Sequence, residues 1–272
     1  MKHFTDKTIL IIGASGGLGS AIARAFSAQG ASLALAARRS GPAEASLIRG
    51  EGAVVSTHQA DLTDPASLLA LRDEVLAAHG KVDVVINAAG YDARKPLAEH
   101  SLDDFRRTLE VNLLGAMLVT QTFLPVMADG VILHLGGFAD GRLAFPFYSA
   151  DAASRAGVRA FAEAVNRELA LRPHPRPVVS FFSPSPADTE AERPFHPLWR
   201  QMGTAIVPVE KVAEEVVQAV ARRRKVHIMG GWLTRFFAAL NAFSPSLADA
   251  LMMKRFGAAM DRFFRPAGLQ DA

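Results

Sequence analysis

The sequence predicts a doubly wound α/β fold: a single domain with one seven-stranded parallel sheet and helices on both of its faces. Three observations lead there. Short runs that are apolar at nearly every position alternate with helical patterns, which is how strands buried on both faces of a parallel sheet read. The alternation holds as far as residue 231, so right-handed crossovers can wind helices onto both sides. The first run, TILII, leads directly into GASGGLG, a glycine cluster that opens a helix.

The elements follow in order. Residues 8–12 form the first strand, 20–29 a helix with one apolar side, 32–37 the second strand and 54–59 the third. A helix over 65–79 starts at a proline and is ended by Gly80, the usual asymmetry of helix ends. Residues 82–87 form the fourth strand, 102–124 a long helix and 131–135 the fifth strand. A helix then runs through Leu169, followed by a sixth strand at 178–182, a helix at 209–223 and a short last strand at 226–229. Two stretches break the rhythm: a proline-rich loop over 183–208, and a helical extension of the same domain over 232–272.

Composition bounds the function. The chain has 272 residues, 50% of them hydrophobic and 21% charged, enough for a sizeable core and incompatible with global disorder. Cysteine is absent, which excludes disulfides and thiolate metal sites and suits a reducing, cytoplasmic setting. The eight histidines include no pair at helical ligand spacing, so no metal is expected. No secretory signal is expected at the start, and no apolar run long enough to span a membrane. The net charge of +3 is uneven, because residues 222–272 carry nine Lys/Arg against three Asp. That end also carries aromatic stripes, Trp232, Phe236, Phe237, Leu240 and Phe243, then Phe256, Met260, Phe263 and Phe264. Such stripes read first as core or subunit interface and second as a membrane-surface contact. Nucleic-acid recognition is not expected.

The glycine cluster carries chemistry. A dinucleotide pyrophosphate must come close to backbone N–H groups at a helix N-terminus, and side chains there would block it. Gly13, Ser15, Gly16, Gly17, Leu18 and Gly19 lie between a strand and a helix at the front of a βαβ unit, which is the Rossmann-type context that gives the pattern meaning. The second strand ends in Ala36-Ala37-Arg38-Arg39. No carboxylate is available there for a ribose 2′-hydroxyl, and a guanidinium suits a 2′-phosphate, so Arg38 points to NADP(H).

These residues resemble the short-chain dehydrogenase/reductase family, whose turn reads TGxxxGxG; Gly13, Gly17 and Gly19 match, and Ile12 replaces the Thr. Asp61 and Leu62 fall where the family places an Asp against adenine. Asn87-Ala88-Ala89-Gly90 is similar to its NNAG motif, and Asn112 to the Asn of its long fourth helix. Pro184 to Thr189 resembles its PGxxxT segment, whose Thr touches the nicotinamide carboxamide, with Ser185 in place of the Gly. The resemblance implies a nicotinamide cofactor, a small-molecule substrate and a homodimer or homotetramer.

The resemblance fails at the catalytic groups. Family reductases use a Ser, a Tyr and a Lys beside the helix Asn. Gly137 stands at the serine position. Read literally, Tyr148 keeps the Tyr and puts Ala152 at the Lys. Read from SRAGVRAFAEAVNREL, which matches the family's helix without a gap, Asp151 stands at the Tyr and Arg155 at the Lys. Positions 148, 151, 152 and 155 share a helix face if the helix starts early. Asn112, Tyr148, Asp151 and Arg155 are therefore the candidate catalytic residues, with Arg155 also a candidate for the nicotinamide ribose. The expected activity is NADP(H)-dependent oxidoreduction of a carbonyl or hydroxyl on an apolar small molecule, with an altered proton donor. Two alternatives stay open: a non-redox cyclase, isomerase or lyase on the same scaffold, and a non-catalytic NADP(H)-binding sensor or partner protein.

Overall fold

The computed structural model describes residues 3–39, 54–140, 142–173 and 175–265. The strands are β1 (Thr8–Ile12), β2 (Ser32–Ala37), β3 (Val55–Gln59), β4 (Val84–Asn87), β5 (Val131–Leu135), β6 (Val178–Ser183) and β7 (Val226–Ile228). All pairings are parallel and the order is β3-β2-β1-β4-β5-β6-β7. The chain order reverses between β1 and β4. Ligands of open α/β sheets bind at the strand carboxyl ends beside such a reversal.

Period-two alternation explains why both faces are dry. In β1, Ile9 and Ile11 enter one core, and Leu10 and Ile12 the other; in β2, Leu33 and Leu35 oppose Ala34 and Ala36 in the same way. The first core is closed by α1 (Gly17–Ala28) and a helix at Val209–Ala221, the second by α2 (Pro65–His79) and the long helix α3 (Leu102–Val126). Helix α2 begins where Asp64 accepts from the Ala66 N–H at 2.9 Å and ends at Gly80, whose φ is 73°. A side chain would be strained at that φ.

The long helix is continuous but not uniform. Leu102–Thr108 and Gly115–Phe123 are α-helical, and Leu109–Leu114 between them is a π turn. Within its full run, Leu102–Val126, an 18-residue window has a mean hydropathy of 1.3, and by length and composition alone the helix could cross a membrane, contrary to the expectation that no segment is long and apolar enough. Here it packs Val119 and Phe123 into the second core and Leu113 against Gly157. Helix α4 (Ser149–Ala170) crosses it. The remaining helices are α5 (His196–Gln201), α6 (Val209–Ala221), α7 (Trp232–Phe243), α8 (Pro245–Met252) and α9 (Ala258–Phe264). The last seven residues of the helical extension lie outside the described ones. Several boundaries shift by one to three residues from expectation, among them the end of the 209–223 helix, which stops at Ala221, and two of the shifts have a clear local cause. The first helix begins at Gly17 rather than Ser20, because glycines score against a helix although their N–H groups are what its first turn presents. The fourth strand begins at Val84, two residues late, because Asp83 turns aside to accept from Thr8 and Lys7.

One buried histidine ties β4 to β5. The Thr120 hydroxyl donates to the Ala116 carbonyl at 2.9 Å, so it accepts from His134 Nε2 at 2.9 Å, leaving Nδ1 to accept from Asn87 Nδ2 at 3.4 Å. The ring is neutral, and burial pushes its pKa down to about 4. An unfolded chain protonates this histidine near 6.5 and the native one does not. Stability is therefore expected to fall as pH drops from about 6.5 toward 4, by on the order of 2 kcal/mol. Chemical denaturation at pH 7 and pH 5 should show a smaller loss for His134→Gln than for wild type; equal losses would refute the assignment.

Candidate active site

The glycine turn is built for backbone approach. Gly13 has φ 86°, and a Cβ on it would lie 2.7 Å from the Ala89 N; one on Gly19 would lie 2.1 Å from the Gly13 carbonyl oxygen. Neither position tolerates a side chain. Gly16 caps α1 without a side-chain bond, so the first-turn N–H groups of Gly17, Leu18 and Gly19 remain available to an anion. Ser15, Gly16, Gly17, Leu18 and Gly19 line a cavity of about 730 Å³, together with Ala88, Ala89, Gly90, Pro184 and Thr189. The Thr189 methyl lies 3.1 Å from where a Gly17 Cβ would be, so the 183–208 segment closes over the turn. A second part of the crevice, about 400 Å³, is lined by Gly13, Arg38, Arg39, Asp61, Leu62 and Thr63. Asp61 accepts from Thr63 N at 2.9 Å and Thr63 Oγ1 at 2.7 Å. These bonds, aided by Arg38, hold its carboxyl below the usual range. Asn87 lines neither region: its Oδ1 accepts from the Ala89 N–H at 3.3 Å and shapes the turn that does.

Opposite the glycine turn, the large cavity is lined by Tyr148, Asp151 and Arg155. Helix α4 starts at Ser149 with Tyr148 at its N-cap, so the early start needed to bring these groups together is met. The turn that leads into Tyr148 is strained and is held by its neighbours. Phe147, just before it, has φ 69°, a conformation that costs a bulky residue about 1–3 kcal/mol. Its ring stacks on Phe264 at 4.7 Å and its carbonyl accepts from Lys95 N at 3.0 Å. Tyr148 itself is 1% exposed, and its hydroxyl has no hydrogen-bond partner among the described residues. Burial raises its pKa, so it is a neutral phenol with a proton to donate.

Arg155 organises the rest. Its Nε donates to Asp151 Oδ1 at 2.8 Å, Nη2 to Asp92 Oδ1 at 2.8 Å, and Nη1 to the Leu135 carbonyl at 3.3 Å. Five guanidinium N–H groups exist, so two remain after these three contacts. Asn112, in the π turn, donates from Nδ2 to the Tyr91 carbonyl at 2.9 Å, to Ser154 Oγ at 3.1 Å and to Asp151 Oδ1 at 3.4 Å. Asp92 and Asp151 meet the same guanidinium, so their charges repel and one of the two carboxyls is favoured in its protonated form. The Asp151 side chain is 2% exposed and Asp92 keeps 35% of its surface. Desolvation raises the Asp151 pKa, to about 7, while Arg155 and Arg94 hold Asp92 well below the carboxylate range. The proton therefore resides on Asp151.

Three members of this network carry no signal in the sequence patterns. Arg94 Nη2 donates to Asp92 Oδ2 at 2.8 Å and Nη1 to Glu192 Oε2 at 2.9 Å; Glu192 Oε1 accepts from Trp199 Nε1 at 2.6 Å. Arg94 also lies over the rings of Tyr148 and Phe195, at 5.1 and 4.4 Å. Two guanidinium groups thus face three carboxyls, and a proton on Asp151 balances the charge.

Gly137 explains the missing hydroxyl. A Cβ there would lie 2.7 Å from Arg155 Nε, so the guanidinium fills the space a serine would need. Gly137→Ser is expected to displace Arg155 and lower stability by about 1–3 kcal/mol. A thermal shift of less than a degree would show that the site can accommodate it.

Comparison with known proteins agrees with this geometry. A family model described as short chain dehydrogenase matches residues 7–195. Dehydrogenase/reductase SDR family member 7B of Bos taurus is 27% identical over 270 residues, covering 93% of this chain and 82% of that protein. A fatty acyl-CoA reductase of Acinetobacter baylyi is 30% identical over 259 residues, covering 92% of this chain and 84% of that protein. Among solved structures, a short chain dehydrogenase/reductase from Burkholderia phymatum in complex with NAD has a TM-score of 0.80 at 25% identity, covering 91% of this chain and 96% of that one. A short chain dehydrogenase from Burkholderia cenocepacia in complex with NADP has a TM-score of 0.76 at 26% identity, covering 84% and 98%.

Proposed function

The chain belongs to the short-chain dehydrogenase/reductase family, and from that premise we propose that it is an NADP(H)-dependent oxidoreductase acting on a carbonyl or hydroxyl of an apolar small molecule. One observation carries the reading: the glycine turn and the Tyr148–Asp151–Arg155 cluster line the same cavity, so a nicotinamide anchored at one end lies beside a proton donor at the other. The cradle fits such a cofactor, because the Gly13 and Gly19 positions have no room for side chains and the first-turn donors of α1 are available. When bound, the cofactor supplies or accepts the hydride.

The chain's own residues handle the rest. The Gly17–Gly19 N–H groups hold the pyrophosphate, Arg38 the 2′-phosphate, and the remaining Arg155 donors the nicotinamide ribose. The Tyr148 hydroxyl donates to the substrate oxygen and orients it. Asp151 transfers its proton to that oxygen as negative charge develops on it, giving the alcohol, and Arg155 and Asn112 stabilise the carboxylate left behind. A donor with a pKa near 7 matches working pH well. Trp199 and Phe138 keep water from the reacting carbon.

Reduction requires Asp151 protonated, so its rate is expected to fall as pH rises through about 7. Asp151→Asn should lower NADPH-driven reduction about 10²- to 10⁴-fold and abolish this pH limb, and Tyr148→Phe about tenfold. The check is NADPH consumption against straight-chain and aromatic carbonyls. An Asp151→Asn enzyme of wild-type rate would remove Asp151 from the mechanism. The closed ion-pair network around Arg155 favours a second reading, a protein that binds NADP(H) without chemistry. Tight NADPH binding with no turnover across the carbonyl panel would select it.

A further inference from the structure

The cavity beside Tyr148 and Asp151 has an apolar neighbour. A separate space of about 310 Å³ lies between the 183–208 segment and the C-terminal helices. Leu143, Phe145, Met202, Leu233, Phe237 and Met252 form much of its wall. Among the described residues no charged side chain lines it; its polar side chains are Ser185, Thr204 and Thr234. The first cavity, by contrast, carries Asp92, Arg94, Asp151, Arg155, Glu190 and Glu192. Phe138 and Ser185 line both, and so form their common wall. Phe138 is half-buried, stacked on Phe145 at 5.5 Å and edge-on to Trp199 at 5.5 Å. Its ring is a partition between a charged space and an uncharged one. At the far side, Trp232 lines the apolar space while remaining 78% exposed, so the space opens to solvent beside that ring.

Such a pair of spaces suits a ligand with two ends. The charged end holds a polar head, and an apolar void takes hydrocarbon in preference to water. Each methylene moved from water into it is worth about fourfold in affinity. We propose that the second cavity receives the aliphatic tail of the substrate, which is therefore a straight-chain alkyl carbonyl or alcohol with its oxygen at Tyr148 and its chain running past Phe138. The assignment rests on the redox reading for the head but not for the tail. It also gives the C-terminal extension a role, since α7, α8 and the following turn supply Leu233, Phe237, Met252 and Phe256 to the wall.

The test is binding, not turnover. Alkan-2-ones from 2-butanone to 2-dodecanone are titrated calorimetrically into the full chain with NADP⁺ present. Affinity should rise about fourfold per methylene and then level off when the cavity is full. Ala205→Phe and Thr234→Phe place rings at two lining positions outside the reacting cluster. Each should flatten the rise for long ketones by at least tenfold while leaving 2-butanone and NADPH binding unchanged. A flat series in wild type, or an unchanged slope in both variants, overturns the proposal. Chain-length-dependent binding without any NADPH oxidation would retain the tail site and discard the redox reading; NADPH oxidation by short and long ketones that bind with equal affinity would do the reverse.

Discussion

Arg155→Ala is expected to cost about 3–5 kcal/mol of stability at pH 8, the range for breaking a buried charge pair from one side. The expectation rests on where the two carboxyls sit. Asp92 keeps 35% of its side-chain surface on the water-accessible cavity, and Asp151 keeps 2%. Loss of the guanidinium therefore weighs mainly on Asp151, which cannot hydrate. Its escape is to keep its proton, and this makes the cost depend on pH. The native pKa of Asp151 already lies above the unfolded value of about 3.9. Stability linked to that proton is fully present below the unfolded value and is lost as pH rises through the native one. Removing Arg155 moves the native value higher still. The variant should thus be destabilised less at pH 5 than at pH 8. Arg155→Met combined with Asp151→Asn removes both charges and refills the space, so it should recover most of the loss. Urea denaturation of the wild type, single variant and double variant at both pH values tests this. A single variant within 1 kcal/mol of wild type at pH 8 would mean the ion pair contributes little.

The parts of this molecule that could be read in advance are those governed by periodicity or by a motif with backbone reasons behind it. Strands β1, β2 and β5 are apolar at successive positions because both of their faces are covered, and that pattern has few other meanings. The glycine turn was legible because its residues answer a steric need. The helix of Tyr148, Asp151 and Arg155 was legible as a shared face, although neither register alone could say which group reaches the cavity; Tyr148 and Asp151 both line it. The π turn at Leu109–Leu114 left no trace, since its residues are ordinary helix formers. Asp92, Arg94 and Glu192 escaped for a different reason. They lie in loops, where no period marks an inward side chain, and the Arg94–Glu192 contact joins residues 98 apart. Only the crossover topology brings those loops to one end of the sheet. Asp92 and Arg94, just past Tyr91, read in the sequence as ordinary loop charges. The Asp151–Arg155 pair could be seen as an i, i+4 ion pair, but sequence spacing says nothing about burial, and burial is what makes its proton useful.

Arg38→Ala is expected to weaken NADPH binding about 10- to 100-fold and to change NADH binding less than about threefold, the difference expected for losing charge-assisted bonds to one phosphate. The argument starts from the end of β2. Ala36 and Ala37 are buried strand residues, and Arg38 is the first exposed one, on the wall of the crevice that Gly13, Asp61 and Leu62 also line. An NAD site needs a free carboxylate at this strand end. The carboxylate at hand, Asp61, belongs to the turn after β3 and is engaged by both the backbone and the hydroxyl of Thr63. Arg38 adds to the lowering of its pKa, and with its acceptors so engaged the carboxylate is not free to take the ribose. Arg39 lines the same space, so Arg39→Ala should produce a smaller version of the same selective loss. Because the contact is exposed, the NADPH advantage should also shrink as salt rises, whereas NADH binding should hardly respond. Fluorescence titration of both cofactors at 50 and 300 mM salt, on wild type and both variants, measures all of this. Equal weakening of NADPH and NADH by Arg38→Ala would show that the arginine supports the crevice wall rather than a 2′-phosphate, and the choice of cofactor would then have to be sought elsewhere along that wall, beginning with Thr63 and Arg107.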